Sequence, residues 1–270
     1  VSGRAGAARL VLYRIKANVS MSGYLSRCVI LTVLLLSVVS AQAGIVLNTT
    51  RVIYQGNEKE VSLGVHNSGS GEILLQSWLE SPTPESAHQE SASHVPFIVT
   101  PPLTRMAGGG RQLVRIIYSG ADMPTDRESV LWLNVQEIPQ AAALNTLQIA
   151  IRQRIKVFFR PDGLVGDPQQ APEKLQWQLS DPDNLSVVNP GPYHVSMLGI
   201  SLHRQGTELA VIDSQMLAPL QRLTIPLLHN SGTAPWVLKF VSINDYGGQV
   251  PYQATLFNQQ PGYANKVLSR

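Results

Sequence analysis

Residue types that do chemistry occur in this chain, but not in working arrangements. Six histidines (His66, His88, His94, His194, His203 and His229) are scattered, and no two have the spacing that places zinc ligands on one helix face. The single cysteine, Cys28, lies in an apolar leader and has no partner for a metal site or a disulfide. Gly108-Gly109-Gly110-Arg111 lacks the Lys-Ser/Thr that completes a phosphate loop, so it reads as a tight turn. No Gly-x-Ser-x-Gly elbow is present, and no pair of carboxylates is placed as an acid/base couple. Asn48-Thr49-Thr50 and Asn184-Leu185-Ser186 are formal glycosylation triplets of a kind common by chance. An enzyme therefore has no positive support, and no metal, cofactor or nucleotide is expected.

The stretch that does stand out runs from Leu147 to Phe159. One parity holds Leu147, Ile149, Ile151, Gln153, Ile155, Val157 and Phe159, while the other holds Gln148, Ala150, Arg152, Arg154, Lys156, Phe158 and Arg160. Such alternation is the signature of a strand with two unlike faces. It predicts a strand longer than the usual five or six residues. On residues alone, the apolar row either fills the core of its own domain or projects from it.

The elements around that stretch are strand-like too. Val61–His66, Ile73–Leu79, Leu113–Tyr118 and Val130–Val135 are short runs rich in alternating, β-branched or aromatic residues. The second half repeats the texture at Leu185–Val188, Val195–Leu202, Leu209–Ile212, Arg222–Pro226 and Trp236–Asn244. Gly, Pro, Asn and Ser clusters separate them, no helical period persists, and no fixed-length repeat appears. The fold class read from this is all-β, with two sandwiches. Arg160-Pro161-Asp162-Gly163 and the Pro- and Gln-rich stretch to Pro172 form the predicted joint, because proline cannot donate to a ladder. The expected domains are residues 44–162 and 163–270.

Charge and the leader bound the function further. The chain has 270 residues, with 21 basic against 18 acidic, a net charge of +3. Five of the basic residues and none of the acidic ones precede Gly44, so the remainder carries 16 basic against 18 acidic residues, a net −2. The basicity belongs to the leader, and nothing global points to nucleic acid. Met21 opens a short polar stretch with Arg27, an apolar run covers residues 29–39, and Ser40-Ala41-Gln42-Ala43 offers a small-x-small cleavage site. The run is too short to cross a bilayer as a helix. Residues 1–43 thus read as a cleaved secretory leader, with the exported chain starting at Gly44.

Six segments in order resemble the periplasmic pilus-assembly chaperones, the PapD-like family: Asn48–Tyr54, Thr100–Arg105, Asp126–Ser129, Leu147–Ile151, Ile155–Pro161 and Ile243–Gly248. The resemblance spans residues 44 to 252. It implies two immunoglobulin-like domains in an L- or boomerang-shaped arrangement with a cleft between them. It implies a non-enzymatic periplasmic chaperone that completes fimbrial subunits by donating a strand and hands them to an outer-membrane usher. By this resemblance Leu147, Ile149 and Ile151 are the donor residues. Arg51 and Lys156, which residues alone would make ordinary solvated strand cations, become the anchor for the subunit's terminal carboxylate. Glu128, Arg160 and Asp245 become an ion network that sets the interdomain angle. Strict alternation puts Lys156 on the face opposite Leu147, so either a bulge intervenes or the two faces serve different parts of the guest.

The family also implies a strained or cis proline at Pro101 or Pro102. The short link from Pro139 to Asn145 resembles the subgroup with a short loop before the donor strand. The cysteine pair of better-known members is missing near the C-terminus, so the end of the second domain is expected to be less constrained. Self-capping of the free chaperone as a dimer or oligomer stays open. The competing reading is a secreted immunoglobulin-like adhesion or carbohydrate-binding module. It would need an aromatic platform at loop tips, whereas Trp78, Trp132, Trp177 and Trp236 fall in strand-like runs.

Overall fold

In the computed structural model, residues 44–81, 95–120, 123–141, 144–181, 184–204, 207–227, 235–257 and 259–267 are described. The leader, Cys28, His88, His94 and His229 lie outside them. The described residues are nearly all strand and build two apolar cores within one compact unit.

The first core lies between two sheets. One has the order β1 (Ile45–Leu47), β3 (Val61–Asn67), β7 (Arg111–Tyr118), β5 (Phe97–Thr100). The other has the order β2 (Arg51–Gln55), β9 (Arg152–Arg160), β8 (Ser129–Pro139), β4 (Ile73–Glu80), β6 (Leu103–Met106). Alternate residues of these strands point inward, as the pleat requires. Leu63 and Val65 of β3, Val114 and Ile116 of β7, Leu133 and Val135 of β8, and Val157 and Phe159 of β9 meet in the core. Tyr54 ties its end: the ring lies 5.7 Å from Phe159 and 5.8 Å from Phe97, and its hydroxyl accepts from Tyr118 N at 3.1 Å. The Thr100–Pro101 bond is cis.

The N-terminal strand changes sheets partway. β1 pairs antiparallel with β3, then residues 48–50 cross over and β2 pairs in parallel with β9. Asn48 makes the crossing firm, since its backbone N donates to Gly64 O at 3.0 Å and its side-chain oxygen accepts from Gly64 N at 3.0 Å.

The second core is built by β10 (Gln176–Asp181), β11 (Asn184–Val188) and β14 (Arg222–Pro226) against a sheet of order β13 (Thr207–Leu217), β12 (Val195–Arg204), β15 (Trp236–Ile243), β16 (Gln249–Leu256), β17 (Asn265–Lys266). Trp177, Trp236, Leu238 and Phe240 are fully buried or nearly so within it.

Three expectations need correction. The regular strand predicted from Leu147 begins only at Arg152, where the β8–β9 ladder ends at Gln136↔Arg152 although β8 itself runs on to Pro139. The Pro- and Gln-rich stretch expected as linker contains a 3-10 helix, Pro168–Lys174, capped by Asp167, whose Ala171 is buried in the second core together with the following Leu175. Proline suits the first turn of such a helix, where its missing N–H has no partner to lose. The end of the second domain, expected to be loose, is pinned without a disulfide. Tyr252 pairs with Lys266, Trp177 bridges to Gly262, and Val267 N donates to Pro251 O at 2.9 Å.

Candidate functional site

Arg51 opens β2, and the parallel register sets it directly opposite Lys156 on β9. Both side chains are half-buried on the outer face of the five-stranded sheet. Nη1 of Arg51 donates to Ile243 O at 3.0 Å, and its guanidinium carbon sits 5.5 Å from the Phe158 ring centre. Its Nε is buried with no hydrogen-bond partner. Nζ of Lys156 lies 5.5 Å from the Trp132 ring centre, and no ion pair reaches it among the described residues. Burial pulls the Lys156 ammonium below its ordinary range, and the Arg51 charge adds to the effect. Burial likewise lowers Arg51, against the opposing pull of Asp245 and Glu128. Two adjacent, desolvated cations with donors to spare have the chemistry to accept an anion such as a carboxylate.

Four residues further along β9, Arg160 binds two acids. Its Nε donates to Glu128 Oε2 at 2.6 Å, while Nη1 and Nη2 take both oxygens of Asp245 at 2.7 and 2.8 Å. Burial opposes its charge, yet the bonds to Asp245 and Glu128 outweigh that and raise its pKa. Asp245 comes from the turn joining β15 to β16. Asn244 shapes that turn by accepting at its side-chain oxygen from Tyr246 N at 3.1 Å and Gly248 N at 2.8 Å. Gly247 has φ +80°, and a Cβ there would lie 2.6 Å from Thr50 Oγ1. The left-handed backbone favours glycine, and a side chain there would also have to turn the Thr50 hydroxyl aside. The structure thus brings Glu128, Arg160 and Asp245 together around elements of both sandwiches.

A fourth member of this group was not foreseen. His194, just before β12, donates from its backbone N and from Nδ1 to Glu128 Oε1, and its ring lies 5.7 Å from Phe158. A lone histidine between Tyr193 and Val195 carries no spacing signal. Pro192, two residues before it, also reaches Glu128, accepting at its carbonyl from Glu128 N at 2.8 Å. A cavity of about 80 Å³ lies at this junction, lined among others by Arg51, Arg160, Asp245 and Tyr252.

Leu147, Ile149 and Ile151 lie before β9 and are 89%, 69% and 45% exposed, whereas Val157 is fully buried. The row therefore leaves the core and emerges into solvent. Gln148 Nε2 donates to Gln140 O, and Glu137 N donates to Ile151 O at 2.9 Å. The β8–β9 register runs without a shift from Ser129↔Phe159 to Gln136↔Arg152, so no bulge interrupts β9 between Arg152 and Phe159, and the apolar row lies before that ladder. Within β9 the two faces are distinct, with Arg152, Arg154 and Lys156 outward and Val157 and Phe159 inward. Among the described residues no strand pairs with the other edge of β9 before Lys156, where β2 begins. The remaining histidines, His66 and His203, stand apart, and no group of residues among those described could hold a metal ion.

Comparison with known proteins agrees with this architecture in both halves. The family described as pili and flagellar-assembly chaperone, PapD N-terminal domain, matches residues 44–165. The PapD C-terminal domain of pili assembly chaperones matches residues 170–254. The probable fimbrial chaperone YadV of Escherichia coli strain K12 is 37% identical over 228 residues, spanning 80% of this chain and 92% of its own length. The crystal structure of the YadV chaperone superposes with a TM-score of 0.67 at 37% identity, covering 79% of this chain and 100% of that one. The SafB chaperone, solved in complex with the Salmonella enterica SafA pilin, has a TM-score of 0.61 at 26% identity and covers 85% of this chain and 99% of its own. These likenesses favour a fimbrial chaperone over an adhesion or carbohydrate-binding module. The chain belongs to the pili assembly chaperone family.

Proposed function

We propose that this chaperone captures fimbrial subunits in the periplasm by lending them the segment from Leu147 to Ile151, and passes them to an outer-membrane usher. A subunit with an incomplete sandwich exposes an apolar groove and an open edge, which would otherwise aggregate. Leu147, Ile149 and Ile151 supply the groove, and the neighbouring backbone supplies the edge. Covering three such chains contributes on the order of 5 kcal/mol before ordering costs. The guest's C-terminal carboxylate binds between Arg51 and Lys156, which fixes its register. Glu128, Arg160, Asp245 and His194 hold the two domains, residues 44–162 and 163–270, in the pose that forms this socket. The chain acts without turnover or cofactor, and residues 1–43 export it.

One observation carries this reading: the free edge of β9 ends at the point where Arg51 and Lys156 face each other. A guest strand running along that edge in the sense of β2 meets the two cations at its terminus. Co-expression with a pilin from the same fimbrial system tests it. The native chain should give a soluble one-to-one complex, and Arg51→Ala or Lys156→Ala should give none while staying folded. Normal recovery from both variants would remove the anchor assignment.

A further inference from the structure

The outer face of β9 carries more positive charge than a single carboxylate needs. Arg152, Arg154 and Lys156 follow one another at every second residue, so their side chains recur about 6.5–7 Å apart on one face. Each is propped by an indole. Arg154 lies 4.4 Å and Lys156 5.5 Å from the Trp132 ring centre, and Arg152 lies 6.0 Å from that of Trp78. Along this row, ion pairs among the described residues reach one carboxylate, Glu80, whose Oε2 is 3.3 Å from Arg154. Glu80 is already engaged by Trp78, whose Nε1 donates to it at 2.9 Å. A row of like charges on neighbouring positions repels itself in the free chain, and gains from an acidic neighbour.

The place for that neighbour is the free edge beside Arg152 and Arg154. A strand laid there becomes the next strand of the sheet, and alternate side chains of it stand beside this row at cross-strand distance. Resting on the capture proposed above, we infer that the guest segment read by this chaperone bears acidic side chains two and four residues before its C-terminal residue, where Arg154 and Arg152 recognise them. Arg51 and Lys156 then read the chain end, and the two arginines read the composition just upstream of it. Specificity among subunits is set on this face, while the apolar row supplies the affinity common to all of them.

The test uses the purified full-length chain and dye-labelled eleven-residue peptides with alternating Val and Thr. One carries Glu at the two positions, one carries Gln, one carries Lys, and a copy of each ends in an amide. Anisotropy should show the Glu peptide binding about fivefold tighter than the Gln peptide at low salt, with the Lys peptide weakest. The preference should shrink as ionic strength rises and vanish in the Arg152→Gln/Arg154→Gln double variant, whose melt should be unchanged because both side chains are exposed. Equal binding of Glu and Gln peptides, with amidation still weakening both, would overturn the acidic-strand inference and leave the anchor standing. A preference that survives in the double variant would overturn it as well. Amidation without effect, or no binding by any peptide, would instead bring down the anchor and everything resting on it.

Discussion

Glu128 Oε1 accepts two hydrogen bonds from one residue of the other sandwich, His194: from its backbone N at 2.9 Å and from Nδ1 at 2.8 Å. Its second oxygen takes Arg160 Nε at 2.6 Å, and the residue is 2% exposed. Of these donors, one is a backbone N–H and another, Arg160, is itself held by Asp245. Glu128→Gln must turn an amide N–H toward Arg160 or His194, setting donor against donor. Loss of about 3 kcal/mol is expected in urea unfolding followed by tryptophan fluorescence. A change below about 1 kcal/mol would mean the junction does not depend on this charge.

Ile149 is 69% exposed and touches neither core, so a charge there should not harm folding. Ile149→Glu should leave the thermal melt within a degree or two and cut recovery of co-expressed pilin at least tenfold. Undiminished recovery would remove Ile149 from the donor set.

Gly247 tests how closely the β15–β16 turn must approach Thr50. With φ +80° and a Cβ that would push Thr50 Oγ1 aside, Gly247→Ala should cost roughly 1–2 kcal/mol and displace Asp245 and the Ile243 carbonyl that Arg51 binds. Pilin recovery should fall in parallel with stability measured in urea. If stability falls and recovery does not, the turn matters for folding alone.

Burial, and then the adjacent Arg51 charge, hold the Lys156 ammonium below the usual lysine range. A bound carboxylate favours the charged form and raises that pKa. Affinity is therefore full below the lowered free-state pKa and declines as pH rises through it toward the bound-state value. Peptide binding measured from neutral pH upward should weaken on the alkaline side before ordinary lysines titrate. Lys156→Arg should flatten the profile, and an identical profile in that variant would assign the titration to another group.

Much of the fold was legible because alternation survives wherever a strand has one face in the core. The runs at Val61, Val130, Val195 and Trp236 became β3, β8, β12 and β15 within a few residues. What escaped were features that depend on distant partners. Nothing in Asn48-Thr49-Thr50 signals that a strand changes sheets there, since both halves are equally extended. The 3-10 helix at Pro168–Lys174 has the composition of a linker, and its burial comes from the second core it leans on. Leu147 to Ile151 reads as strand by pattern, but the ladder with β8 stops at Gln136↔Arg152, and pattern cannot supply the pairing beyond it. His194 stayed hidden for the same reason: its partner is 66 residues away.

The crossover at residues 48–50 also works as a ruler. Because β2 claims β9 only from Lys156 onward, the vacant rail from residue 147 to residue 155 has a fixed length, about 30 Å at the usual rise per residue. Moving the crossing two residues earlier would let the chaperone's own N-terminal strand occupy that much more of the rail, shortening the berth and shifting where an incoming chain must stop. Insertions or deletions in this short bend would therefore move Arg51 along β9 and out of its place opposite Lys156.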